Sequence, residues 1–149
     1  MNVSKDFTLR EMIYSPTALR LGISNDPSLE VVNNMILLAE AVLQPLRDYM
    51  GESVRVSSGY RSPALNRKIG GSKSSQHCVG QAADLTCDGK NKKMFDFIKD
   101  SLVFDQLIWE FGTEREPDWV HVSYKKEGNR RQVLVAKKVN GKTVYEQYD

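Results

Sequence analysis

The hydrophobic pattern of this chain has helical spacing in the first third and strand-like alternation in most of the remainder. Over residues 26–46 the apolar side chains recur at the spacing of one helix face, which predicts a long core helix. They are Leu29, Val32, Met35, Ile36, Ala39, Val42, Leu43 and Leu46. Asp26-Pro27 indicates the start of this helix. Pro45 lies inside the pattern and predicts a kink or an end, because proline lacks the backbone N–H.

Shorter helices and a series of strands surround this segment. Thr8-Leu9-Arg10-Glu11 has the capping-box pattern of a helix start, and a second short helix is expected between Ser15-Pro16 and Gly22. Further helices are expected at 63–69 and 92–102, and strands at 53–57, 81–86, 105–111, 119–124, 132–136 and 143–145. Asn140-Gly141 favours a tight hairpin. We therefore expect an α+β fold with a mainly antiparallel sheet and N-terminal and flanking helices.

Size and charge indicate an ordinary globular chain. Its 149 residues are enough for a single domain with its own core, which we expect over residues 1–149 as a monomer. Charged residues make up 27% and the net charge is +2, so no nucleic-acid partner is indicated. Short basic clusters, such as Lys90 with Lys92 and Lys93, are typical of a solvated face, and an anionic polymer is their alternative partner.

The sequence also bears on location and redox state. Residues 1–7 contain no apolar run like a secretory signal, and no segment is expected to span a bilayer. We therefore expect synthesis in the cytoplasm and no membrane partner. Cys78 and Cys87 are too few for a disulfide framework, so we expect two reduced thiols, one of them buried, with a bridge as the alternative.

The strongest chemical signal is the placement of the chain's two histidines, His77 and His121. His77 precedes Asp84 by seven residues, and His121 follows Asp118 by three. A catalytic zinc takes three ligands from His and Asp or Glu, an open position for water, and a carboxylate that moves protons without ligating. These four side chains match that set.

Strand alternation favours the same grouping. Asp84 shares a strand face with the small Ala82, which leaves room for a cation, and Gly80 permits a close backbone turn after His77. His121 can complete the trio from a neighbouring strand. Asp118 lies at an odd offset from His121 and must sit at a bend to reach the same site.

Other interpretations of these residues remain open. Each histidine can be a hydrogen-bonded core group, and Asp84 can be a surface or capping carboxylate. Cys87 can in principle replace Asp84 as a ligand, although alternation puts its thiol on the opposite face.

The pattern Ser75-x-His77-x-x-Gly80-x-Ala82-x-Asp84, followed by Asp118-x-x-His121, resembles peptidase family M15, the zinc D-alanyl-D-alanine carboxypeptidases. The resemblance extends to the segment from Ser57 to Pro63, to Asn66 and to the opening Phe7-Thr8-Leu9-x-Glu11-Met12. It covers most of the chain, and its short form is similar to phage and prophage members. It implies a fold like that of the DD-peptidases and the Hedgehog signalling domain.

The resemblance implies roles for individual residues. His77, Asp84 and His121 would bind Zn²⁺, and Asp118 would be the general base, although several members carry glutamate at that position. Arg61 would contact the substrate and stabilise charge at the reacting carbonyl, with bracing of a loop as the alternative.

Weaker roles follow for three more side chains. Ser75 would help hold the peptide or only cap the turn before His77, and Tyr60 would contact substrate while being partly structural. Glu110 is a candidate hydrogen-bond partner for a ligand imidazole.

The resemblance implies a zinc peptidase acting on the stem peptide of bacterial peptidoglycan, as a D-Ala-D-Ala carboxypeptidase or an L-Ala-D-Glu-type endopeptidase. The cell wall is then the expected place of action. The alternative is a metal-binding module without catalysis that binds cell wall or protein. A third possibility is a structural virion part, which predicts no stoichiometric metal.

Overall fold

The computed structural model describes residues 1–149 and contains six α-helices, four of them before the first strand. The helices are α1 (Leu9–Ile13), α2 (Pro16–Leu21), α3 (Leu29–Leu38), α4 (Gln44–Met50), α5 (Pro63–Lys68) and α6 (Asn91–Ser101). Thr8 and Glu11 form the predicted capping box of α1. Ser15 caps α2, which ends at Gly22 in the left-handed conformation, as the sequence indicated.

The long core helix forms without a break across Pro45. A π-helical turn, Ala39–Leu43, joins α3 to α4, so the helix continues from Leu29 to Met50 instead of ending. The wider turn accommodates a proline that cannot donate to the usual carbonyl. The predicted start at Asp26-Pro27 is wrong by two residues, because Ser28 caps the helix at the backbone N–H of Val31.

The same helix corrects one expectation about membranes. By length and composition alone, this helix of 22 residues could cross a bilayer. In the structure its apolar face packs into the protein core, where Met35, Leu38, Val42 and Leu46 are almost fully buried. A helix that forms the core of a domain meets the same criteria, so length and composition are weak evidence for a span.

Six strands form one sheet in the order β1-β2-β4-β3-β5-β6. They are β1 (Arg55–Ser58), β2 (Ala82–Thr86), β3 (Gln106–Glu110), β4 (Trp119–Ser123), β5 (Gln132–Val139) and β6 (Lys142–Gln147). Every neighbouring pair is antiparallel except β3 and β5, which are parallel. The predicted α+β fold with a mainly antiparallel sheet is confirmed.

Strand boundaries differ from the expected ones chiefly at the ends. β1 begins at Arg55 rather than at residue 53, and β5 runs three residues further than expected, to Val139. The turn between β5 and β6 has positive φ at both Asn140 (51°) and Gly141 (77°). That conformation is the one that a two-residue hairpin requires, so the Asn-Gly prediction is confirmed.

The sheet has one face in the core and one face turned away from it. Ala83 and Leu85 of β2, Leu107 of β3 and Val120 and Val122 of β4 join the core with the long helix and α6. Residues that alternate with these, including Asp84 and His121, therefore lie on the opposite face. Cys87 packs in the core and Cys78 is half-buried, and both thiols are free.

Candidate metal centre

His77 is placed by a 3₁₀ turn, Gln76–Val79, whose N-terminus is capped by the hydroxyl of Ser75. The imidazole is only 2% exposed, and its Nδ1 lies 2.7 Å from the backbone carbonyl of Gly59. Because a carbonyl oxygen only accepts, Nδ1 carries the proton, and Nε2 keeps its lone pair. Nε2 points to Asp84, with 3.4 Å between it and Oδ1.

Gly59 makes this support possible. A Cβ on Gly59 would lie 2.2 Å from the carbonyl oxygen of Met12, so only glycine allows the two backbones to approach this closely. The approach orients the Gly59 carbonyl towards the ring of His77. The segment Ser58-Gly59-Tyr60-Arg61 therefore fixes the His77 ring through the Gly59 carbonyl, and it also carries Arg61.

Asp84 and His121 are direct neighbours across the sheet. The antiparallel register pairs Asp84 of β2 with His121 of β4, so both side chains leave the same face. The distance from Nδ1 of His121 to Oδ1 of Asp84 is 3.1 Å. Asp84 Oδ1 thus lies between the two imidazoles, whose ring centroids are 5.2 Å apart.

The three side chains have the spacing that a tetrahedral metal site requires. One ligand atom from each lies within 4.8 Å of the others. Tetrahedral zinc with ligands at about 2.0–2.1 Å places neighbouring donors about 3.3 Å apart, close to the 3.1 and 3.4 Å separations from Asp84. Two imidazoles and one carboxylate also form a typical catalytic zinc donor set, so the residues fit the ion.

Charge keeps the Asp84 carboxylate ready to ligate. Burial alone would raise its pKa, but the two imidazoles beside it, those of His77 and His121, hold that pKa well below its ordinary value. Its side chain is 14% exposed, so one side remains open to the cleft.

The cluster opens into a cleft of about 940 Å³. Its other lining residues include Arg61, Ser75, Gln106, Ile108, Glu110, Phe111, Trp119, Arg130, Gln132, Leu134, Lys138, Thr143 and Tyr145. Strands β5 and β6 supply one wall, and the segment around Ser75 supplies another. An extended peptide has room to lie between these walls.

Arg61 lies in this cleft with an unused donor. Its Nη2 donates to the Ser75 hydroxyl at 3.4 Å, whereas its buried Nε has no hydrogen-bond partner. An unpaired buried donor costs stability, so a substrate oxygen is a natural acceptor for it.

Ser75 and Tyr60 differ in their placement. Ser75 lines the cleft, as a residue that holds a peptide would. Its hydroxyl also accepts from the backbone N–H of His77 at 3.2 Å, as expected for the alternative role of capping the turn. Tyr60 is 7% exposed, belongs to the hydrophobic core and does not line this cleft. That placement favours a structural role for Tyr60, because an aromatic ring fixed in the core cannot contact a substrate in the cleft.

Asp118 is not brought to the cleft. It lies at the predicted bend before β4, but its side chain is exposed and is not part of the cleft lining. Its backbone N–H donates to the carbonyl of Glu110 at 2.9 Å, and its carbonyl accepts from Asn91 at 3.1 Å. The backbone is therefore held on both sides, and the bend turns the side chain towards solvent.

Glu110 is the carboxylate that the structure does bring to the cleft. It is 7% exposed and makes no side-chain hydrogen bond, so the suggested bond to a ligand imidazole is not formed. Burial raises its pKa to about 7, opposed by the charges of His121 and Arg61 and reinforced by that of Asp84. Alternation along β3 predicts from the sequence that Glu110 and Ile108 share a face. The sequence does not tell which face of the sheet carries the metal centre.

The supporting network around Asp105 could not be inferred from the sequence. Asp105 is fully buried and accepts two hydrogen bonds from the Arg130 guanidinium, at 3.0 and 2.8 Å. Gln76, the neighbour of His77, donates to Asp105 at 3.1 Å and to Gln81 at 3.2 Å. The network ties the 3₁₀ turn to the start of β3.

Together, this α+β sheet and its open cluster of two histidines and one aspartate have the features of a metal-dependent hydrolase. Comparison with protein families identifies which one. The family model described as Peptidase M15 matches residues 5–123, and the chain belongs to this peptidase family. A search of curated proteins found no match. The match ends with β4, so the hairpin of β5 and β6 lies beyond it.

Proposed function

We propose that this protein is a zinc-dependent peptidase that hydrolyses a peptide bond in the stem peptide of bacterial peptidoglycan. The observation that supports it most directly is the convergence of His77, Asp84 and His121 at the floor of an open cleft in a chain of peptidase family M15. Both D-Ala-D-Ala carboxypeptidase and L-Ala-D-Glu-type endopeptidase activity are compatible with that cleft.

Each residue of the site has a defined task in this proposal. Bound zinc would supply a Lewis acid that activates water and polarises the scissile carbonyl. The Gly59 carbonyl holds the His77 ring in the tautomer that leaves Nε2 free. Arg61 would donate its unpaired Nε–H to a substrate oxygen, either the carbonyl where negative charge develops or a nearby carboxylate.

The reaction also needs a carboxylate that moves protons. Asp118 is the candidate from the sequence pattern and lies at the surface, whereas Glu110 lies in the cleft. These two side chains are rivals for the role.

The proposed setting is the bacterial cell wall, with the protein acting there as a monomer and with a phage or prophage origin. The polymer presents short peptides with free carboxylates, and the cleft carries Arg61 and Lys138 along its walls. Opposite charges favour encounter with such a substrate.

The test is incubation of the zinc-loaded protein with purified peptidoglycan, followed by mass spectrometry of the released fragments. We expect fragments whose masses identify one cleaved bond, and no such fragments from His77→Ala under the same conditions. Asp88→Asn, at an exposed position after β2, is a matched control that should cleave like the parent. Absence of cleavage by the zinc-loaded parent between pH 5 and 9 would rule the proposal out.

A second candidate is a metal-binding module without catalysis that binds cell wall or protein. The observation that favours it is the exposed position of Asp118, since the acid expected from the family pattern is not in the cleft. In the same experiment this candidate predicts zinc-dependent sedimentation with peptidoglycan and no change in fragment masses.

A further inference from the structure

Phe111, the residue after β3, has a backbone conformation that L side chains rarely adopt. Its φ is 57°, in the left-handed region, where a bulky aromatic residue is strained. Successive side chains of a strand alternate between faces, yet Phe111 and Glu110 before it both line the cleft. The positive φ accounts for this departure from alternation. Strain of this kind collects at functional sites, so the position of the Phe111 ring calls for a role.

The Phe111 ring lies against two other residues of the cleft. Trp119 meets it edge-on, with 5.4 Å between the ring centroids, and the Lys138 amine lies 5.6 Å from its centroid. An ammonium over an aromatic face is attracted to the ring. Lys138 forms no salt bridge, whereas its neighbour Lys137 pairs with Glu146. The ring therefore holds the Lys138 amine at the cleft without neutralising its charge.

Thr143 of β6 adds a hydroxyl group beside this amine. The hairpin register pairs Lys138 with Thr143, so both side chains leave the face that lines the cleft. The Thr143 hydroxyl accepts from the Lys138 amine at 3.2 Å. It keeps its own hydrogen, which is free to bond to an acceptor in the cleft.

Tyr145 adds a second hydroxyl group between this pair and the metal centre. The register aligns Tyr145, through one residue of β5, with Glu110 of β3. Burial raises the pKa of Tyr145, and the negative charges of Glu110 and Asp84 raise it further, so the phenol keeps its proton at neutral pH. Lys138 and Thr143 lie one row further out, about 7 Å along the strands. A negative group held there is separated from the two acids.

We propose that Phe111, Lys138, Thr143 and Tyr145 form a subsite that binds a carboxylate group of the stem peptide while the scissile bond lies at the metal centre. The inference rests on the proposed function and names the chemical group that this end of the cleft selects. The Lys138 ammonium supplies the charge, and the two hydroxyls donate hydrogen bonds, which are stronger to an ionised acceptor. Phe111 is a positioning residue that holds the amine.

The test compares a synthetic stem peptide, L-Ala-γ-D-Glu-L-Lys-D-Ala-D-Ala, with two modified forms. In one form the α-carboxylate of D-Glu is replaced by a carboxamide, and in the other the C-terminal carboxylate is replaced. Steady-state kinetics with the zinc-loaded protein gives KM for each peptide. We expect one carboxamide to raise KM about threefold to tenfold, as for loss of a charge-assisted hydrogen bond at a partly exposed site.

Variants of the hairpin show whether Lys138 causes this difference. Lys138→Met removes the charge and keeps the length of the side chain, so the KM difference between the acid and carboxamide peptides should disappear. Lys138→Arg keeps the charge and should retain the difference. Lys137→Met is the matched control, because Lys137 faces the other side of the hairpin, and it should discriminate like the parent.

Phe111→Asn tests the positioning role. Asparagine tolerates a positive φ, so this variant should fold normally and should show a smaller KM difference than the parent, because the amine loses its support. Circular dichroism and zinc content check the folding of every variant. A full KM difference in Phe111→Asn would overturn the positioning role of its ring.

Isothermal titration calorimetry of the same peptides on the metal-free protein separates this proposal from the peptidase proposal, because binding needs no cleavage. If the zinc-loaded parent cleaves nothing, the peptidase proposal fails, and the affinities still show whether the hairpin selects a carboxylate. If all three peptides bind the parent equally, or if Lys138→Met keeps the full difference, the carboxylate subsite is overturned.

Discussion

Asp84 Oδ1 is the atom on which the candidate metal centre converges. It lies 3.4 Å from Nε2 of His77 and 3.1 Å from Nδ1 of His121. The two imidazoles therefore face Asp84 with different ring nitrogens. Only the His77 ring has a hydrogen bond at its other nitrogen, to the Gly59 carbonyl. A charged acceptor at this point binds a cation more strongly than a neutral amide would.

Replacement of Asp84 by asparagine should lower zinc affinity by at least about 100-fold, since loss of a supporting hydrogen bond alone costs 10–100-fold in comparable sites. Isothermal titration calorimetry measures this directly. Asp88→Asn makes the same chemical change at an exposed site four residues later and should bind zinc like the parent. Equal affinities for the two variants would show that Asp84 is not a ligand.

For individual residues, the sequence indicated the cluster of His77, Asp84 and His121 but not the direction of the Asp118 side chain. Strand alternation put Asp84 and His121 on accessible faces, and a seven-residue step brought His77 within reach. The direction of Asp118 depends on a bend whose hydrogen bonds come from Glu110 and Asn91, residues distant in sequence. Local pattern carries no information about such long-range bonds.

Among the elements, the 3₁₀ turn that carries His77 is tied to a buried carboxylate by its first residue. It is four residues long, and Gln76 within it donates to Asp105, which directly precedes β3. Burial would raise the pKa of Asp105, but hydrogen bonds from Arg130 and its charge outweigh this and lower the pKa to about 2. Asp105 therefore stabilises the folded chain in its ionised form.

The stability of the protein should reflect this carboxylate at low pH. Because the pKa of Asp105 falls from 3.8 to about 2 on folding, its stabilisation is complete above about pH 4 and is lost as the pH drops towards 2. Asp105→Asn should lower the free energy of unfolding by roughly 2 kcal/mol at pH 7. Urea unfolding at pH 7, 4 and 2.5 measures both effects.

In the same series, the parent should lose more stability than Asp105→Asn between pH 4 and 2.5. Asp100→Asn removes an exposed carboxylate paired with Lys99 and should follow the parent at every pH. Identical pH dependence of the free energy of unfolding for the parent and Asp105→Asn would show that protonation of Asp105 does not cause the loss of stability at low pH.

The hairpin of β5 and β6 is the element that distinguishes this cleft from the matched family region. Lys138 and Thr143 face the cleft as a cross-strand pair, with 3.2 Å between Nζ and Oγ1. The Lys138 amine also lies over the Phe111 ring, and no carboxylate neutralises it. A negative substrate group is a suitable partner for this charge.

We expect Lys138→Ala to raise KM for peptidoglycan fragments about threefold to tenfold with little change in kcat, as for loss of a partly exposed charge contact. Lys137→Ala is the matched control, because Lys137 faces the other side of the hairpin and pairs with Glu146 at 3.0 Å. Steady-state kinetics on a defined stem peptide measures both variants. A KM of Lys138→Ala equal to that of the parent would show that Lys138 of the hairpin does not contact the substrate.

Element types were largely predictable, because helix caps and periodicity are local properties. The caps at Thr8 and Ser15 and the Asn140-Gly141 turn lie where the pattern put them. Pro45 did not end its helix, because the π-helical turn before it and burial of Leu43 and Leu46 favour continuation. Tertiary packing overrode the local preference there.

In the whole molecule, the site exists because β2 and β4 are neighbours in the sheet, although β3 lies between them in sequence and pairs with the other edge of β4. Metal bound at that junction would link β4 to the 3₁₀ turn and β2, which lie earlier in the chain on the other side of α6 and β3. A ligand that binds only the folded state stabilises the entire fold.

Zinc should therefore raise the unfolding temperature, and a chelator should reverse the rise. At a free zinc concentration of 100 times Kd, the gain is about 2.7 kcal/mol, or roughly 5–10 °C for a chain of this size. Differential scanning calorimetry with and without zinc measures it. His77→Ala should show no zinc-dependent shift, and a shift equal to that of the parent would place the ion elsewhere.

The sequence alone determined the element types, the α+β class and the three residues that form the cluster, because periodicity, caps and motif spacing act over short stretches of chain. Only the tertiary structure decided which carboxylate enters the cleft. Glu110 and Asp118 both flank the connection between β3 and β4. The strand register directs Glu110 into the cleft, and a bend held by Asn91 directs Asp118 towards solvent. Those contacts join distant segments, so the direction of each side chain is a property of the packed sheet.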